Sequence, residues 1–264
     1  MPANTPCSSD GETCTRDVCG GAGAACQHPA GNAGTICRAA SGACDAAEAC
    51  NGVVPTCPAD VGLADSDGDG LCDAVDPCTN VAGGRTFVLT NPIAKIVLNR
   101  INTDTTPGND HLPVAGAFYL PSNKTFADLN PLALGARIVM LNRLAGTELD
   151  VNIPPGAKAG SNTRGWKLTN EGKTWTFDDP TSNPAGAIVK VQLFDRSVVA
   201  ARRVEVSIVG DDGTYPVVAG DEPIDVSIAI GGQSEAAAGL CAESDFVAAD
   251  CSWNLSRNQL TCKK

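Results

Sequence analysis

A twelve-residue run of regularly spaced carboxylates is the strongest chemical signal in this chain. From Asp65 to Asp76, positions 1, 3, 5, 9 and 12 are Asp, and position 6 is Gly70. Ca²⁺ takes six to eight hard oxygen ligands, so a loop coiled around it turns alternate side chains and one backbone carbonyl inward, with glycine at the sharp turn. We therefore expect one Ca²⁺ site. Its predicted ligands are Asp65, Asp67, Asp69, Leu71 (through its carbonyl), Asp73 and Asp76.

The residues around this loop argue against a helical calcium motif. Pro and Gly lie before it and Pro77 follows it, so flanking helices are not expected. With Cys78 close behind, the segment resembles a thrombospondin type 3 repeat, a family that uses calcium to rigidify extended extracellular stalks. Only one clear copy is present, so a long row of calcium sites is not expected. Cys72 and Cys78 are expected to pair locally or with the cysteine-rich residues before them. The alternative is a solvated acidic linker without an ion.

Thirteen cysteines indicate an oxidising compartment, and eight of them form an internal repeat. The spacing is C-x6-C-x4-C-x6-C from Cys7 to Cys26 and C-x6-C-x5-C-x6-C from Cys37 to Cys57. Each unit has too few large apolar residues to form a core, so disulfides must order it. Four cysteines allow three pairings, and the sequence does not choose among them. A metal–thiolate cluster is the disfavoured alternative, since no C-x2-C pair is present.

The second unit resembles a disintegrin-like module. The matching segments are Gly34-Thr35-Ile36-Cys37-Arg38, Cys44-Asp45-Ala46-Ala47-Glu48-Ala49-Cys50-Asn51-Gly52 and Cys57-Pro58-Ala59-Asp60. The first unit, from Cys7 to His28, is similar to the short repeats found beside such modules in secreted bacterial multidomain proteins. Disintegrins bind integrins through an Arg-Gly-Asp loop, but the matching loop here, residues 38–43, lacks that tripeptide. The resemblance therefore implies the scaffold without the integrin function.

The end of the chain is predicted to form a hairpin. A two-residue turn at Ser256-Arg257 would place Cys251 opposite Cys262. Cys241 is then left over, which suggests an intermolecular bond or a partner before Met1. The cysteines expected in disulfides are Cys7, Cys14, Cys19, Cys26, Cys37, Cys44, Cys50, Cys57, Cys72, Cys78, Cys251 and Cys262.

The rest of the chain shows the two-residue apolar period of half-buried antiparallel strands. Val189, Val191 and Leu193, for example, alternate with polar residues. The fold class is therefore all-β, with an antiparallel β-sandwich body (one or two) and a disulfide-rich, loop-dominated N-terminal arm. The predicted strands lie at 86–90, 94–101, 114–120, 136–142, 148–153, 165–168, 175–177, 189–193, 204–208 and 224–230, and the predicted turns at 106–110, 154–156, 170–172 and 210–213.

Charge divides the chain in the same way as the cysteines do. Residues 1–80 contain eleven acidic and two basic residues, whereas the remainder is nearly neutral. The expected parts are a first four-Cys repeat (1–30), a disintegrin-like repeat (31–62), a calcium loop (63–80) and a β-sandwich body (81–264) with a C-terminal hairpin.

Several functional classes are disfavoured by composition and motif. A net charge of −11 opposes binding to nucleic acid or to an anionic membrane surface. No apolar run approaches the ~20 residues of a membrane span. The chain has two His, no Gly-x-Ser-x-Gly elbow and no phosphate-binding loop, so no catalytic residues are predicted and an enzyme is not expected. His111 is interpreted as a surface residue, and Asp104 with Asp110 as solvated turn acids or, less favoured, a second cation site.

These features favour an extracellular or cell-surface protein of structural or adhesive function, such as the subunit of a surface appendage or filament. Its partners would be other copies of itself or other surface proteins. The alternative is a carbohydrate-binding or accessory module of a secreted hydrolase, in which Trp166 and Trp175 form a glycan-stacking platform. The chain's start lacks the features of a signal peptide, so we expect Met1 to begin a mature or trimmed fragment.

Overall fold

The computed structural model divides into two compact units, Met1–Ala64 and Asp65–Lys264. Most of both units is built from antiparallel strands and turns, so the chain is all-β with a disulfide-rich first unit. The residues that the structure describes are 2–21, 25–41, 45–66, 72–73, 76–78, 94–101, 108–142 and 146–264.

The first unit holds two small hairpins that correspond to the two sequence repeats. Its strands are β1 (Val18–Cys19), β2 (Cys26–Gln27), β3 (Ile36–Arg38) and β4 (Glu48–Ala49). β1 pairs with β2, and β3 pairs with β4. Equivalent contacts recur in both repeats, so they share one backbone path. The strand pairing of Pro6 with Val18 in the first repeat matches that of Ile36 with Ala49 in the second. The hydrogen bond from the Cys19 N–H to the Thr5 carbonyl likewise matches the one from the Cys50 N–H to the Thr35 carbonyl, and both are 2.8 Å long.

Disulfides hold the repeats individually and to each other. Cys7–Cys26 and Cys37–Cys57 join the first and fourth cysteines of their repeats. Cys14–Cys50 instead joins the second cysteine of the first repeat to the third of the second. The expectation that each repeat pairs its cysteines internally was therefore wrong for this pair. Cys44 lies outside the described residues.

The second unit has two antiparallel sheets. The larger is ordered β15-β16-β5-β6-β12-β11-β10-β9 and the smaller β14-β13-β7-β8. Short helical turns lie at Phe126–Asp128, Pro131–Leu134 (α1), Ala185–Ala187, Gln233–Ala237 (α2) and Ala248–Asp250. The strands are β5 (Lys95–Asn99), β6 (Asp110–Tyr119), β7 (Ala136–Asn142), β8 (Gly146–Ile153), β9 (Gly165–Thr169), β10 (Thr174–Asp178), β11 (Ile188–Asp195), β12 (Arg203–Gly213), β13 (Ile224–Ile230), β14 (Cys241–Glu243), β15 (Cys251–Trp253) and β16 (Gln259–Lys263).

One apolar core lies between these two sheets. Alternate residues of β6, β11 and β12 meet alternate residues of β7, β8 and β13 in a single buried cluster. The body is therefore one β-sandwich in the described part of the chain, and the alternative of two in tandem is not needed. The predicted strands at 136–142 and 224–230 match β7 and β13 in full. The predicted strand at 86–90 lies outside the described residues.

The predicted turn at 210–213 proved to be a strand end, and the last residue of the predicted turn at 106–110 proved to be the start of a strand. Asp110 begins β6, where it is 3% exposed and accepts a 2.7 Å hydrogen bond from the backbone N–H of Tyr215. Residues 210–213 end β12, with a register shift between Gly210 and Gly213. A β-bulge accommodates turn-type residues inside a strand, which is why their composition suggested a turn.

β13 differs from the predicted half-buried strand because both of its faces are buried. Asp225, expected to face solvent, is 1% exposed. Its Oδ1 accepts hydrogen bonds from Ser244 Oγ at 3.1 Å and from the N–H of Phe246 at 3.0 Å. The chain that follows β14 therefore covers this carboxylate and supplies its hydrogen bonds, which makes its burial tolerable.

Substitution of a core leucine should destabilise this sandwich far more than substitution of an edge leucine. Leu193 of β11 is fully buried, whereas Leu168 of β9 is 46% exposed, and both pair with Trp175. Leu193→Ala should lower the free energy of unfolding by about 2–5 kcal/mol because it removes buried methyl groups and leaves a cavity. Leu168→Ala, the matched control, should cost about 0.5 kcal/mol or less. Denaturation followed by tryptophan fluorescence under non-reducing conditions measures both, and equal losses would contradict the single-core description.

Candidate metal centre

The predicted calcium loop lies at the start of the second unit, and the structure describes half of its expected ligands. Asp65, Asp73 and Asp76 are described, whereas Asp67, Asp69 and Leu71 lie outside the described residues. The three described aspartates stand at loop positions 1, 9 and 12, so the two ends of the loop can be examined.

Asp73 ties the second half of the loop to its beginning. Its carboxylate accepts two hydrogen bonds from Ser66, one from the backbone N–H at 2.8 Å and one from Oγ at 2.7 Å. The Ser66 hydroxyl and backbone hold the pKa of Asp73 below its ordinary value. Positions 2 and 9 of the loop are thus held together by hydrogen bonds from Ser66 to an ionised carboxylate.

Asp76 is held rigidly at the other end of the loop. It is 1% exposed, and its Oδ1 accepts a 2.7 Å hydrogen bond from the N–H of Cys78. Its own N–H donates to the carbonyl of Cys72 at 3.0 Å. A buried carboxylate requires compensation by charge or hydrogen bonds, and these contacts supply part of it.

Arg137 brings a positive charge to this position from β7. Its guanidinium donates two hydrogen bonds to Asp150 of β8, at 2.9 and 2.8 Å. Asp150 is the main cause of the raised pKa of Arg137, and the charge of Asp76 adds to it. Sequence reasoning placed Arg137 in a strand but did not connect it with the loop, because a separation of 61 positions carries no local signal for their proximity.

A cavity of about 340 Å³ lies between the end of the loop and the outer face of the smaller sheet. Asp73 and Asp76 line it on one side, and Arg137 and Asn152 line it on the other. Arg137 and Asn152 are cross-strand neighbours on β7 and β8. Any change in the loop on binding an ion would therefore alter the surroundings of β8, the edge strand of this sheet.

A disulfide anchors the exit of the loop. Cys78 bonds to Cys241, and both are fully buried with Ala229 and Ala236. The expectation that Cys241 is left over was therefore wrong, as was the pairing proposed for Cys78. The physical reason is sheet topology. β14 pairs with β13 so that Cys241 lies opposite Ala229, on the face where the loop leaves.

The other polar residues considered from the sequence have local structural contacts. His111 Nδ1 lies 3.1 Å from Asp211 Oδ1, and the His111 side chain is about one-third exposed at 34%. Tyr215 is buried, donates its hydroxyl to the Gly186 carbonyl at 3.2 Å, and has a pKa raised by that burial. Asp104 lies outside the described residues, so the second predicted cation site is left with Asp110 alone, which acts as a backbone acceptor.

The predicted tryptophan platform is buried. Trp166 is 1% exposed, donates its indole N–H to the Pro154 carbonyl at 3.0 Å, and packs on Phe177 with ring centroids 5.3 Å apart. Trp175 is 8% exposed. Rings that stack on a sugar must offer a face to solvent, and these two pack on the protein instead.

Comparison of the chain with protein-family models, curated proteins and solved structures finds no match. Its function is therefore argued from its own residues. Among the described residues, none of the helices has the length and apolar character needed to cross a membrane.

The loop should bind one Ca²⁺ per chain. Asp65→Asn and Asp73→Asn each remove one carboxylate charge from the predicted ligand set while keeping side-chain size. Each should weaken binding by about tenfold or more, equivalent to about 1.4 kcal/mol. Glu171→Gln, which removes one charge from an exposed turn, is the control and should leave affinity unchanged. Calorimetric titration of the full chain with CaCl₂ measures all four proteins, and absence of binding by the unsubstituted chain would refute the site.

Proposed function

We propose that this chain is an extracellular, calcium-stabilised structural or adhesive protein that acts by contact with further copies of itself or with other surface proteins. Five disulfides among the described residues indicate an oxidising compartment. Calcium outside cells is usually concentrated enough to fill sites of even millimolar affinity. The site expected at Asp65–Asp76 would therefore be occupied there. Both features support an extracellular location.

The observation that carries the proposal is an imbalance among the four sheet edges of the second unit. β14 and β15 are three residues each, and disulfides cross-link both. β9 is partly covered, because Trp166 exchanges backbone hydrogen bonds with Gly156 and Lys158. β8 is eight residues long, and in the described part of the chain β7 is its only strand partner. Short or covered edges resist pairing, whereas a long open edge invites it.

The backbone groups that β8 offers can be identified from the ladder. Ile230 of β13 donates its N–H to Leu240, just before β14, so its backbone groups point away from β7. Its partner on β7, Ala136, is therefore in a non-hydrogen-bonded pair with it and directs its own backbone groups towards β8. Ala136 pairs with Ile153, and the alternation of an antiparallel ladder then turns the N–H groups of Asp150 and Asn152 outward. Both residues are exposed. A strand of a second copy could pair with these groups by β-augmentation.

The carbohydrate-binding alternative has less support. It relied on exposed faces of Trp166 and Trp175, and these rings are 1% and 8% exposed. The cavity beside Arg137 and Asn152 adds support to calcium-dependent assembly, since it adjoins both the loop and the open edge. Loss of the ion would leave the carboxylates of the loop to repel one another next to β8.

The β8 edge can be tested at one position. Asn152→Pro removes an outward N–H without removing a bond to β7, and Asn152→Ala keeps that N–H. With calcium present, sedimentation should show assemblies for the unsubstituted chain and for Asn152→Ala, and predominantly monomer for Asn152→Pro. Thermal unfolding should confirm that both variants fold.

Calcium should be needed for the same assembly. A chelator should dissociate it while the circular dichroism of the β-sandwich is retained. A chain that stays monomeric at high concentration with calcium and binds a glycan tightly would replace this proposal with the carbohydrate-binding alternative.

A further inference from the structure

A cluster of nitrogen and oxygen ligands lies in the first unit, apart from the calcium loop and from the β8 edge. It consists of Asp10, Asp17 and His28, whose ligand atoms all lie within 4.8 Å of one another. The three side chains are partly or fully accessible to solvent. The sequence suggested nothing here, because the eighteen positions from Asp10 to His28 match no ligand motif.

The hairpin of the first repeat places two of these residues side by side. Val18 pairs with Gln27, and Thr15 bridges Ala30, so Asp17 and His28 lie opposite each other between those two pairs. The Cys7–Cys26 disulfide ties β2 to the segment beside Pro6, which itself bridges β1 at Val18. The His28 Nδ1 to Asp17 Oδ1 distance is 2.7 Å. Hydrogen bonding to His28 is the largest cause of the lowered pKa of Asp17, whose carboxylate is therefore ionised.

Asp10 is oriented towards the same imidazole. Its Oδ1 accepts hydrogen bonds from the N–H of Glu12 and from Thr15 Oγ1, both at 2.9 Å. This leaves Oδ2 directed at His28 Nδ1, at 3.5 Å. The second carboxylate of the cluster is thus held in place by contacts that a bound ion need not break.

One of these two distances fits a small divalent ion, and the other needs a small adjustment. Zn–N and Zn–O bonds of about 2.1 Å imply ligand–ligand separations of about 3.4 Å in a tetrahedral site. The 3.5 Å between Nδ1 and Asp10 Oδ2 already meets this value, and the 2.7 Å contact with Asp17 must open by about 0.7 Å. We propose that Asp10 Oδ2, Asp17 Oδ1 and His28 Nδ1 bind a divalent transition-metal ion such as Zn²⁺, with water as the remaining ligand. Imidazole favours this class of ion over Ca²⁺.

The second repeat holds a cluster of different composition. Glu48 occupies the position equivalent to Asp17, and Arg38 NH1 lies 3.3 Å from Glu48 Oε2 and 3.7 Å from Asp60 Oδ1. A cationic side chain lies between two carboxylates here as well. A guanidinium stays protonated and cannot coordinate a metal, whereas an imidazole can exchange its proton for one. The two repeats therefore offer different groups to a metal ion, and only the cluster of the first repeat contains an imidazole.

The chain supplies a matched control in its second histidine. His111 contacts a single carboxylate, that of Asp211, at 3.1 Å. Since the chain has only these two histidines, each imidazole can be followed separately. If zinc bound weakly to any surface histidine, both His28 and His111 would respond to it. Binding at the proposed site should affect His28 alone.

The test uses the full chain labelled with ¹⁵N-histidine, titrated with ZnCl₂ in excess CaCl₂ so that the calcium loop is occupied. Long-range ¹H–¹⁵N spectra should show the Nδ1 resonance of His28 shifting with one equivalent of zinc and the His111 resonances unchanged. By calorimetry, His28→Ala and Asp10→Asn should each weaken zinc binding at least about tenfold. His111→Ala and Glu171→Gln should bind as the unsubstituted chain does.

Three results would overturn the proposal. They are no zinc binding in calcium, equal shifts at both histidines, and unchanged affinity in His28→Ala. The spectra of the unsubstituted chain decide the first two without any variant. Mass spectrometry of the Cys7–Cys26 peptide confirms that the variants keep the native disulfide. A failed zinc test would leave calcium-dependent assembly unaffected, because the two rest on different residues.

Discussion

The Cys78–Cys241 disulfide is the constraint on which the arrangement around the calcium loop depends. It joins residues 163 positions apart and closes almost the whole sandwich into one covalent ring. In the chain-entropy account, a loop of this length contributes roughly 5 kcal/mol by restricting the unfolded chain. It also sets where the loop ends, since Cys78 is held on the outer face of the smaller sheet. The proximity of Asp76 to Arg137, and of the loop to β8, follows from that attachment.

The smaller sheet is unusual in being covered on both faces. Its inner residues join the common core, while Asp225 and Cys241 on β13 and β14 are also buried. The disulfide, α2 and the chain after β14 provide this cover. Burial of the central strands leaves β8 as the accessible border of the sheet among the described residues, which is why this strand has the leading place in the functional proposal.

The first unit shows how one disulfide scaffold can hold different chemistry. Both repeats follow the same backbone path, with equivalent ladder contacts and a first-to-fourth disulfide. Each places a positively charged or protonatable side chain between two carboxylates, His28 in one and Arg38 in the other. In the first repeat this side chain is an imidazole, which can bind a metal ion once it loses its proton, and in the second it is a guanidinium, which cannot.

Local patterns in the sequence determined the elements of this protein. The alternation of apolar and polar residues predicted β7 and β13 to the residue, since strand formation depends on a period that neighbouring residues express. The hairpin was predicted from a turn midway between Cys251 and Cys262, and the structure pairs these two cysteines. The calcium loop stays a prediction, and it was a local one because all of its expected ligands lie within twelve consecutive residues. Five of the ten predicted strand positions needed only small changes of boundary.

Only the tertiary structure decided which distant residues meet. The order of strands in the sheets determines the pairing of Cys241 with Cys78, the proximity of Arg137 to Asp76 and the burial of Asp225. No spacing along the chain encodes that order. The cluster of Asp10, Asp17 and His28 likewise requires the register of the hairpin of β1 and β2. Strand formation is governed by neighbours a few positions away, whereas burial and contact are governed by whatever the rest of the fold places on top. For this reason the sequence supplied the elements, and the fold supplied the partners of each.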